Sequence, residues 1–364
     1  MDFDLDETQQ DLRKLAAEVL ARDGEARGGE VPATHGGARD GERLRQAGLM
    51  SVCAPEEAGG AGLGPVELAV VLREVGARAA SVPLLPTLVG TLTLARHGTP
   101  EQQRGEVAVA IREPGAALAD PPRTTARLLD PPRTTERLLD AGAATVGSQG
   151  APGETAHPGG WALSGRKVGV VHPAPAVLVT AAEGLFLTES PPTTPEYTST
   201  GEPAATVVLD GTPAERIAGP EAVADAGRLF MAAVAAQASG VLAGALELTT
   251  GHIRTRKQFG RALAEFQAVT VQIADVYIAA RALDVAMWSA VWRLGEGLPA
   301  DRDLALAAYH AVQGVQALHT CQHLHGGLGL DVTYPLHRYF AQAKHLSHLL
   351  GGTDAQLDLI GALL

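Results

Sequence analysis

A cluster of basic residues dominates the segment HIRTRKQFGRALAEFQ, which starts at residue 252. Its four cations are Arg254, Arg256, Lys257 and Arg261, and Phe259 lies between them. A guanidinium group offers a planar fork of donors that matches phosphate oxygens, and a phenyl ring offers an apolar wall for a flat ligand. The pattern predicts either a site for a pyrophosphate or a solvated basic face, which is the usual state of such runs.

Histidines form the second group of residues that could do chemistry. Seven of the 12 lie beyond residue 309, namely His310, His319, His323, His325, His337, His345 and His348. His319 and His323 are four residues apart, which places them on one helical face, and Cys321 lies between them. This spacing is compatible with a metal site. No carboxylate joins them, and helix packing or contacts with a cofactor explain them as well, so we expect no metal.

Glycine-containing motifs narrow the chemistry further. The segment HLHGGLG places Gly326 and Gly327 where the backbone must approach another helix or a flat cofactor closely. No G-x-G-x-x-G fingerprint follows a strand, and GWALSGRK has Arg166 where a P-loop needs lysine. No G-x-S-x-G elbow occurs either. These absences argue against a nicotinamide-dependent enzyme of the Rossmann type.

Composition excludes several other classes of protein. The 364 residues are 46% hydrophobic and 19% charged, which is typical of a folded chain of two or three domains. The formal charge of -12 is a poor match to nucleic acid, so we expect no nucleic-acid partner. Cys53 and Cys321 lie far apart, and the start MDFDLDETQQ is acidic where a signal peptide is basic. We therefore expect a cytoplasmic protein.

Hydrophobic periodicity changes twice along the chain. Helical spacing of apolar residues covers residues 1–105, short β-type runs separated by Pro and Gly cover 106–215, and helical spacing returns over 220–364. The predicted helices of the last part lie near 222–256, 265–293, 301–325 and 335–350. The sequence thus predicts an α+β multidomain fold, with an N-terminal α-helical domain, a small middle β-domain and a C-terminal four-helix bundle.

A tandem repeat lies inside the middle β-domain. PPRTTARLLD (121–130) is followed by PPRTTERLLD (131–140), and the copies differ only at Ala126 and Glu136. Double prolines oppose regular structure at each start, and two copies are too few for a solenoid. We interpret the repeat as a duplicated surface insertion, with a binding element as the alternative.

One stretch is long enough to span a membrane. Residues 229–246 carry no charge over 18 positions and include Gly240-x-x-x-Gly244. Most of these residues are small, and small residues contribute little free energy of transfer into lipid. We therefore predict a tightly packed helix of the bundle and no membrane partner.

Several segments, taken in order, resemble the acyl-CoA dehydrogenases along nearly the whole chain. They read MDFDLDETQQDLR, GLMSVCAPEEAGGAGLGPVELAVVLREVGARAASVP, AIREPGAALAD, WALSGRKVGVV, RTRKQFGRALAEFQAVTVQIAD and HLHGGLGLDVTYPLHRYF. The resemblance implies bound FAD, an acyl-CoA substrate, an electron-transfer acceptor and a dimer or dimer of dimers. HGGLG with PLHRY is most similar to shorter bacterial members that act on bulky acyl-CoAs such as sterol side chains.

The resemblance also implies a set of cofactor-binding residues. In the family, the motif Arg256-x-Gln258-Phe259 reaches the FAD of the partner subunit. Motif matching adds further candidates to these three, namely Phe266, Gln267, His323, Gly326 and Gly327.

The family reaction needs a carboxylate that this chain lacks at both family positions. The reaction removes the α-proton of an acyl-CoA thioester while the β-hydrogen leaves as hydride to flavin, so a base must accept the proton. The resemblance places that base at Gly351, before Gly-Thr, or at Gly227, before Arg-Leu. Asp354 and Glu247 are weak alternatives, which we interpret as a polar group before the last helix and a helix-surface charge.

Further departures from the family lie in the middle β-domain. Arg112 replaces a Thr expected to touch the flavin, Leu118 replaces a small polar residue, and Gly169 and Val171 replace Trp and Thr beside the flavin ring. His323 replaces the usual Gln before the HGG turn. These departures weaken a flavin site that is built from this chain's own β-domain.

The hypothesis that follows is a subunit without the base in a homo- or hetero-oligomer, most simply a hetero-oligomer whose other chain supplies the carboxylate. Two alternatives stay open. One is an enzyme of specialised metabolism that keeps the fold but changes the chemistry on a carrier-bound substrate. The other is a non-catalytic subunit that binds acyl-CoA or acts as a scaffold.

Overall fold

Helices form both ends of the chain and a sheet forms the middle, which confirms the predicted α+β arrangement. The computed structural model describes residues 4–25, 37–103, 105–129 and 160–364. The N-terminal helices are α1 (Glu7–Glu25), α2 (Gly37–Gln46), α3 (Pro65–Ala77) and α4 (Leu84–His97). The C-terminal helices are α5 (Pro220–Thr255), α6 (Gln267–Gly295), α7 (Asp301–His325), α8 (Leu336–Leu349) and α9 (Gly352–Ala362).

The sheet has the strand order β1-β4-β5-β7-β3-β2, and β6 also pairs with β7. Its strands are β1 (Val107–Ala110), β2 (Thr125–Leu128), β3 (Trp161–Val171), β4 (Ala176–Ala181), β5 (Gly184–Glu189), β6 (Thr193–Tyr197) and β7 (Pro203–Ala218). β1 runs parallel to β4, and the other described pairs are antiparallel. β7 pairs with β5, β3 and β6, so it ties the sheet together.

The apolar pattern of the sequence did not show the full extent of β6 and β7. β7 extends over Pro203–Ala218, because its two halves pair with different neighbours. Its end lies three residues beyond the predicted boundary at 215. The prediction missed β6, since all five of its side chains are exposed and show no apolar alternation.

The first copy of the repeat, which we interpret as a surface insertion, contributes an edge strand to the sheet. Residues 125–128 of that copy form β2, which pairs with β3. Ala126 is 8% exposed and lies in the sheet core with Leu163 and Val207. The double proline precedes the strand and does not interrupt it. The second copy, with Glu136 at the matching position, lies outside the described residues.

Helices from both ends of the chain share one apolar core. It joins Leu68 and Leu72 of α3 to Val241 of α5 and Leu283 of α6. The predicted bounds of the C-terminal helices α5 to α8 agree with the structure within two residues. The prediction gave no bounds for α9. Asp354 lies in the first turn of that helix rather than before it.

Gly76 and Gly240 let α3 and α5 pack with their backbones nearly in contact. A Cβ atom at Gly240 would lie 1.9 Å from the carbonyl oxygen of Arg73, and one at Gly76 would lie 2.0 Å from that of Gln237. No side chain fits at either position. The Gly240-x-x-x-Gly244 motif therefore serves packing inside the protein. α5 is long and apolar enough to cross a membrane, but 83% of its most apolar 18-residue stretch is buried.

Substitution of Ala126 tests whether the first copy forms β2. We expect Ala126→Glu to lower the free energy of unfolding by about 2 kcal/mol or more, because it buries a carboxylate in the sheet core. Arg127→Glu is the control, since Arg127 is exposed on the opposite face of the strand. Urea unfolding followed by circular dichroism measures both. Equal stability of the two variants would contradict the assignment of β2.

Candidate functional site

The basic segment forms a short hairpin directly after α5. α5 ends at Thr255, and β8 (Lys257–Gln258) pairs with β9 (Arg261–Ala262). The turn residues Phe259 and Gly260 both have left-handed backbones, with φ of 50° and 80°. This is the geometry of a tight two-residue hairpin turn. Its left-handed backbone is unfavourable for a bulky residue such as Phe259 at the first position. The sequence predicted only a helix end and a glycine break here.

The side chains of this hairpin face solvent. Arg256, Gln258 and Phe259 are exposed, and Phe259 is exposed by 93%. No hydrogen bond or ion pair involves the Arg256 guanidinium within the described residues. Phe259 meets Phe266 edge to face at 6.4 Å, and the Arg261 guanidinium lies 4.0 Å from the centre of the Phe266 ring. The hairpin thus presents free donors beside an aromatic surface.

Two stacked histidines join this hairpin to the HGG turn. The rings of His252 and His325 lie 4.3 Å apart and nearly parallel, and the backbone N–H of Arg256 bonds to the carbonyl of His252. His325 is 5% exposed, and its Nδ1 donates to the carbonyl of Cys321 at 2.8 Å. Its Nε2 atom has no hydrogen-bond partner in the described part of the chain.

The surroundings of the stack favour the neutral form of both rings. Burial lowers the pKa of His325. Burial, then the neighbouring His325 and Arg256, lower the pKa of His252. The base of the Arg256 hairpin is therefore fixed by two uncharged imidazoles.

The other cofactor candidates lie on the same side of this junction. Gly326 ends α7 with φ of 60°, and a Cβ at Gly326 or Gly327 would meet nothing within 4 Å. Both glycines are exposed, as are His323 and Gln267, and Gln267 is the first residue of α6. The structure thus brings together the two motifs that the sequence placed about 70 residues apart.

Cys321 does not converge with its neighbouring histidines. It is fully buried, and burial raises the pKa of its thiol to about 11. His319 and His323 are exposed, and His319 packs edge to face on Phe340. Among the residues that the structure describes, no group of three His, Cys, Asp or Glu side chains is placed to hold a metal ion.

A second candidate site lies where the sheet meets the helices, and it is nearly closed. The cavity there has a volume of about 20 Å³. Small-molecule sites usually enclose about 300 Å³ or more. Its lining comes from the sheet and from α4, α5 and α8, and consists of Leu85, Pro86, Val109, Ile111, Arg112, Val168, Gly169, Val171, Phe230 and Leu349. Three of the departures from the family pattern, at 112, 169 and 171, therefore meet at one cavity.

Arg112 extends into this junction without a partner of opposite charge. Its Nη1 atom lies 3.4 Å from the position that a Cβ would take on Gly169. Burial lowers the pKa of the Arg112 guanidinium. The described residues give it no hydrogen bond or ion pair. Its backbone is fixed, because the N–H of Val168 bonds to the Arg112 carbonyl at 3.0 Å.

A buried ion pair holds the residue next to Arg112. Lys167 Nζ lies 2.6 Å from Glu113 Oε1 and 3.0 Å from Thr180 Oγ1. Thr124 donates to Glu113 through both its backbone N–H and its hydroxyl. Burial alone would raise the pKa of Glu113, but the hydrogen bonds from Lys167 and Thr124 outweigh it and hold this pKa at about 2. The loop that carries Arg112 is thus anchored to β3.

The charge of Arg112 also influences two histidines of α8, an effect that the sequence did not indicate. Burial lowers the pKa of His345, and Arg112 lowers it further, although Glu202 acts in the opposite direction. Burial and then Arg112 lower the pKa of His348. Glu202 is itself paired with His172 at 3.3 Å. The clustering of histidines in the sequence was the signal, but their neighbour lies more than 200 residues away.

The two family positions for the base differ in whether they can accommodate a side chain. Gly227 lies in α5, three residues before Phe230 of the cavity, and a Cβ there would meet nothing within 4 Å. Gly351 has φ of 85°, and a Cβ there would lie 3.1 Å from that of Ala355. Only Gly227 could carry a side chain without backbone strain.

The weak alternatives for the base face solvent. Asp354 and Glu247 are exposed on α9 and α5, and neither lines the cavity. Leu118 also lies outside the cavity lining and packs against the core of the helices.

Comparison with known proteins places the chain in a family. Residues 5–107 match the acyl-CoA dehydrogenase N-terminal domain, and residues 226–364 match the acyl-CoA dehydrogenase C-terminal domain. The acyl-CoA dehydrogenase FadE28 of Mycobacterium tuberculosis is 35% identical over 390 aligned positions, which cover 100% of this chain and 98% of FadE28.

Two solved structures give the same result. A variant of the Tcur3481-Tcur3483 steroid acyl-CoA dehydrogenase matches at 34% identity with a TM-score of 0.80, over 98% of this chain and 97% of the other. The ChsE4-ChsE5 complex from Mycobacterium tuberculosis matches at 29% identity with a TM-score of 0.82, over 100% and 98%. This chain therefore belongs to the acyl-CoA dehydrogenase family, whose members are FAD-dependent oxidoreductases.

Proposed function

We propose that this chain is the base-deficient subunit of a hetero-oligomeric acyl-CoA dehydrogenase. Its exposed hairpin completes the flavin site of a related subunit, while its own cavity admits no acyl group. The contrast between the open hairpin around Arg256 and the closed cavity beside Arg112 carries the proposal. The absence of a carboxylate at both Gly227 and Gly351 supports it.

The hairpin side fits FAD. Arg256 offers an unpaired fork of donors for a pyrophosphate, and Gln258 and Gln267 offer amides. Phe259 and Phe266 provide apolar surface, and the open turn at 326–327 leaves room for close approach by a ligand. Bound FAD would supply the hydride acceptor. The role of this chain's residues is to hold and orient the dinucleotide.

The β-domain side does not fit a flavin ring with substrate. A cavity of about 20 Å³ has room for about one water molecule. The anchored Arg112 occupies the space next to Gly169, where the family places a large aromatic side chain. No step of the reaction is therefore assigned to this cavity.

An exposed apolar face next to the hairpin supports assembly with a related subunit. Val271, Ile278 and Val285 recur every seven residues on α6 and are exposed by 54%, 63% and 49%. They form an exposed apolar stripe along α6, of the kind that marks protein interfaces. The strained φ of Phe259 also indicates a residue held for binding rather than for stability.

The relatives indicate the type of partner and of substrate. Two of the matching structures are named as pairs of chains, and one of these is called a steroid acyl-CoA dehydrogenase. We infer that the partner here is a second, related chain that keeps its carboxylate. The substrate class is an acyl-CoA thioester with a bulky, steroid-type acyl group.

Expression with and without a related subunit tests the proposal. We expect the chain alone to be colourless and inactive, and its complex with a homologue encoded nearby to contain flavin and to oxidise acyl-CoA. Within the complex, Arg256→Ala should lower flavin retention about tenfold, because it removes a charge-assisted contact with phosphate. Arg127→Ala on β2 is the matched control. A flavin-loaded, active homo-oligomer would refute the proposal.

Alanine at the two family positions for the base should change the free energy of unfolding in opposite directions. Gly227→Ala should raise the free energy of unfolding by about 0.5–1 kcal/mol, because alanine favours a helix interior. Gly351→Ala should lower it by about 1 kcal/mol, because φ is left-handed there. Denaturant titration measures both. Gly227→Glu should leave the isolated chain inactive, since the cavity stays closed, and dehydrogenase activity in that variant would count against the closed cavity.

Flavin retention should weaken in mild acid because the histidine stack at the base of the hairpin is neutral. The folded pKa values of His252 and His325 lie below the ordinary value of 6.5. Their contribution to stability is therefore complete above about pH 6.5 and is lost as the pH falls from there towards their folded pKa values. His310, His345 and His348 share the shift and its sign.

The variant His252→Phe isolates this effect. It keeps an aromatic ring on His325 but cannot be protonated, so we expect a smaller loss of flavin between about pH 7.5 and 5.5 than in the unaltered complex. Ultrafiltration followed by flavin absorbance gives the retained fraction. An identical pH profile for both proteins would exclude His252 as a source of the acid sensitivity.

A further inference from the structure

We propose that a cleft between α1, α3 and α6 binds an organic anion of phosphate or carboxylate type. The cleft has a volume of about 490 Å³, which lies in the range of small-molecule sites. It is lined by Asp4, Leu5, Gln10, Arg13, Val70, Arg73, Glu74, Arg281, Asp284 and Trp288. The proposal does not depend on the function proposed above.

A buried carboxylate organises two of the arginines. Asp284 is 7% exposed, and both of its oxygens bond to Arg73, at 3.2 and 3.1 Å. Arg281 Nη1 lies 3.2 Å from the same carboxylate, and the Ser239 hydroxyl also donates to it. Each guanidinium keeps further N–H donors that these bonds do not use. The arginines are thus fixed before a ligand arrives, which reduces the entropy lost on binding.

The cleft is lined by three arginines and three carboxylates, and one of these carboxylates is neutralised by an arginine outside the lining. Glu74 is already paired with Arg78, whose Nη1 lies 2.5 Å from Glu74 Oε2. Arg13 makes no hydrogen bond or ion pair with the described residues. With Asp4 and Asp284 set against Arg13, Arg73 and Arg281, one positive charge remains. An anionic ligand would offset this charge, and Arg13, which has no partner among the described residues, could bind it.

The remaining lining residues indicate the kind of anion. Trp288, Val70 and Leu5 add apolar surface that a bare inorganic ion would not use. Guanidinium forks recognise carboxylate and phosphate oxygens, and an indole ring packs against flat or apolar groups. The ligand class is therefore a small organic phosphate or carboxylate with an apolar or planar portion.

This cleft is separate from the flavin-binding hairpin. Arg281 lies 14 residues after Gln267 on α6. At 1.5 Å per residue the two positions are about 21 Å apart along the helix. The cleft therefore lies about four helical turns away from the end of α6 that adjoins the hairpin.

Titration of the full-length chain with phenyl phosphate and with benzoate, which carry the two kinds of anionic group on a planar ring, tests the proposal. We expect saturable heat in calorimetry for at least one probe, together with a change in tryptophan fluorescence. The preferred probe distinguishes phosphate from carboxylate chemistry. The double substitution Arg13→Ala and Arg281→Ala should weaken binding about tenfold or more. Both side chains are exposed, so the variant should fold.

Two controls make the test specific. Arg127→Ala removes an exposed arginine elsewhere and should bind as the unaltered chain does, at matched ionic strength. Trp288→Phe should lose the fluorescence change while it keeps the heat of binding. The proposal is overturned if neither probe binds, if the double variant binds equally well, or if assembly with the partner subunit abolishes binding, which would identify the cleft as a subunit contact.

Discussion

The ion pair between Lys167 and Glu113 fixes the loop on which this chain's own cavity depends. Both side chains are buried at the junction of β1 and β3, and further hydrogen bonds satisfy the carboxylate. A buried pair of this kind costs much desolvation, and loss of one partner would leave an unpaired charge, so the geometry is rigid. Because Arg112 immediately precedes Glu113, the pair also fixes the backbone of Arg112, whose guanidinium lies against Gly169.

A second junction, at the ends of α5 and α7, supports the proposed role of this chain in binding a flavin. The stacked rings of His252 and His325 tie the end of α5 to the end of α7. The hairpin that follows exposes Arg256 and Phe259 to solvent, although the exposed ring and its strained backbone are unfavourable for an isolated chain. The two junctions together give one chain with one closed cavity and one open binding surface, which suits a subunit that completes another's site.

Much of this was predictable from the sequence. The change of apolar spacing from helical to alternating and back predicted the order of helices and sheet, since burial of one face imposes those periods. The Arg256 hairpin and the HGG turn were recognisable as motifs because their residues are contiguous. The glycines at 227 and 351 were equally visible, but only the backbone shows that position 351 is left-handed.

The rest required contacts between distant segments. β2 begins after two prolines, and its single buried residue, Ala126, gives no periodic signal. The cavity is closed by Arg112, Phe230 and Leu349, which come from three parts of the chain. The effect of Arg112 on the pKa values of His345 and His348 has the same origin. Local propensity carries no information about such contacts.

The ratio of flavin to protein in the assembled complex shows whether this chain's own β-domain binds FAD. Quantitative absorbance of released FAD, set against the amount of each chain, gives that ratio without any assumption about substrate. We expect one FAD for each pair of unlike chains, because only the partner's β-domain accommodates the flavin ring. One FAD for every chain would mean that the cavity beside Arg112 opens to bind flavin, and would contradict the proposal that this chain only completes the flavin site of its partner.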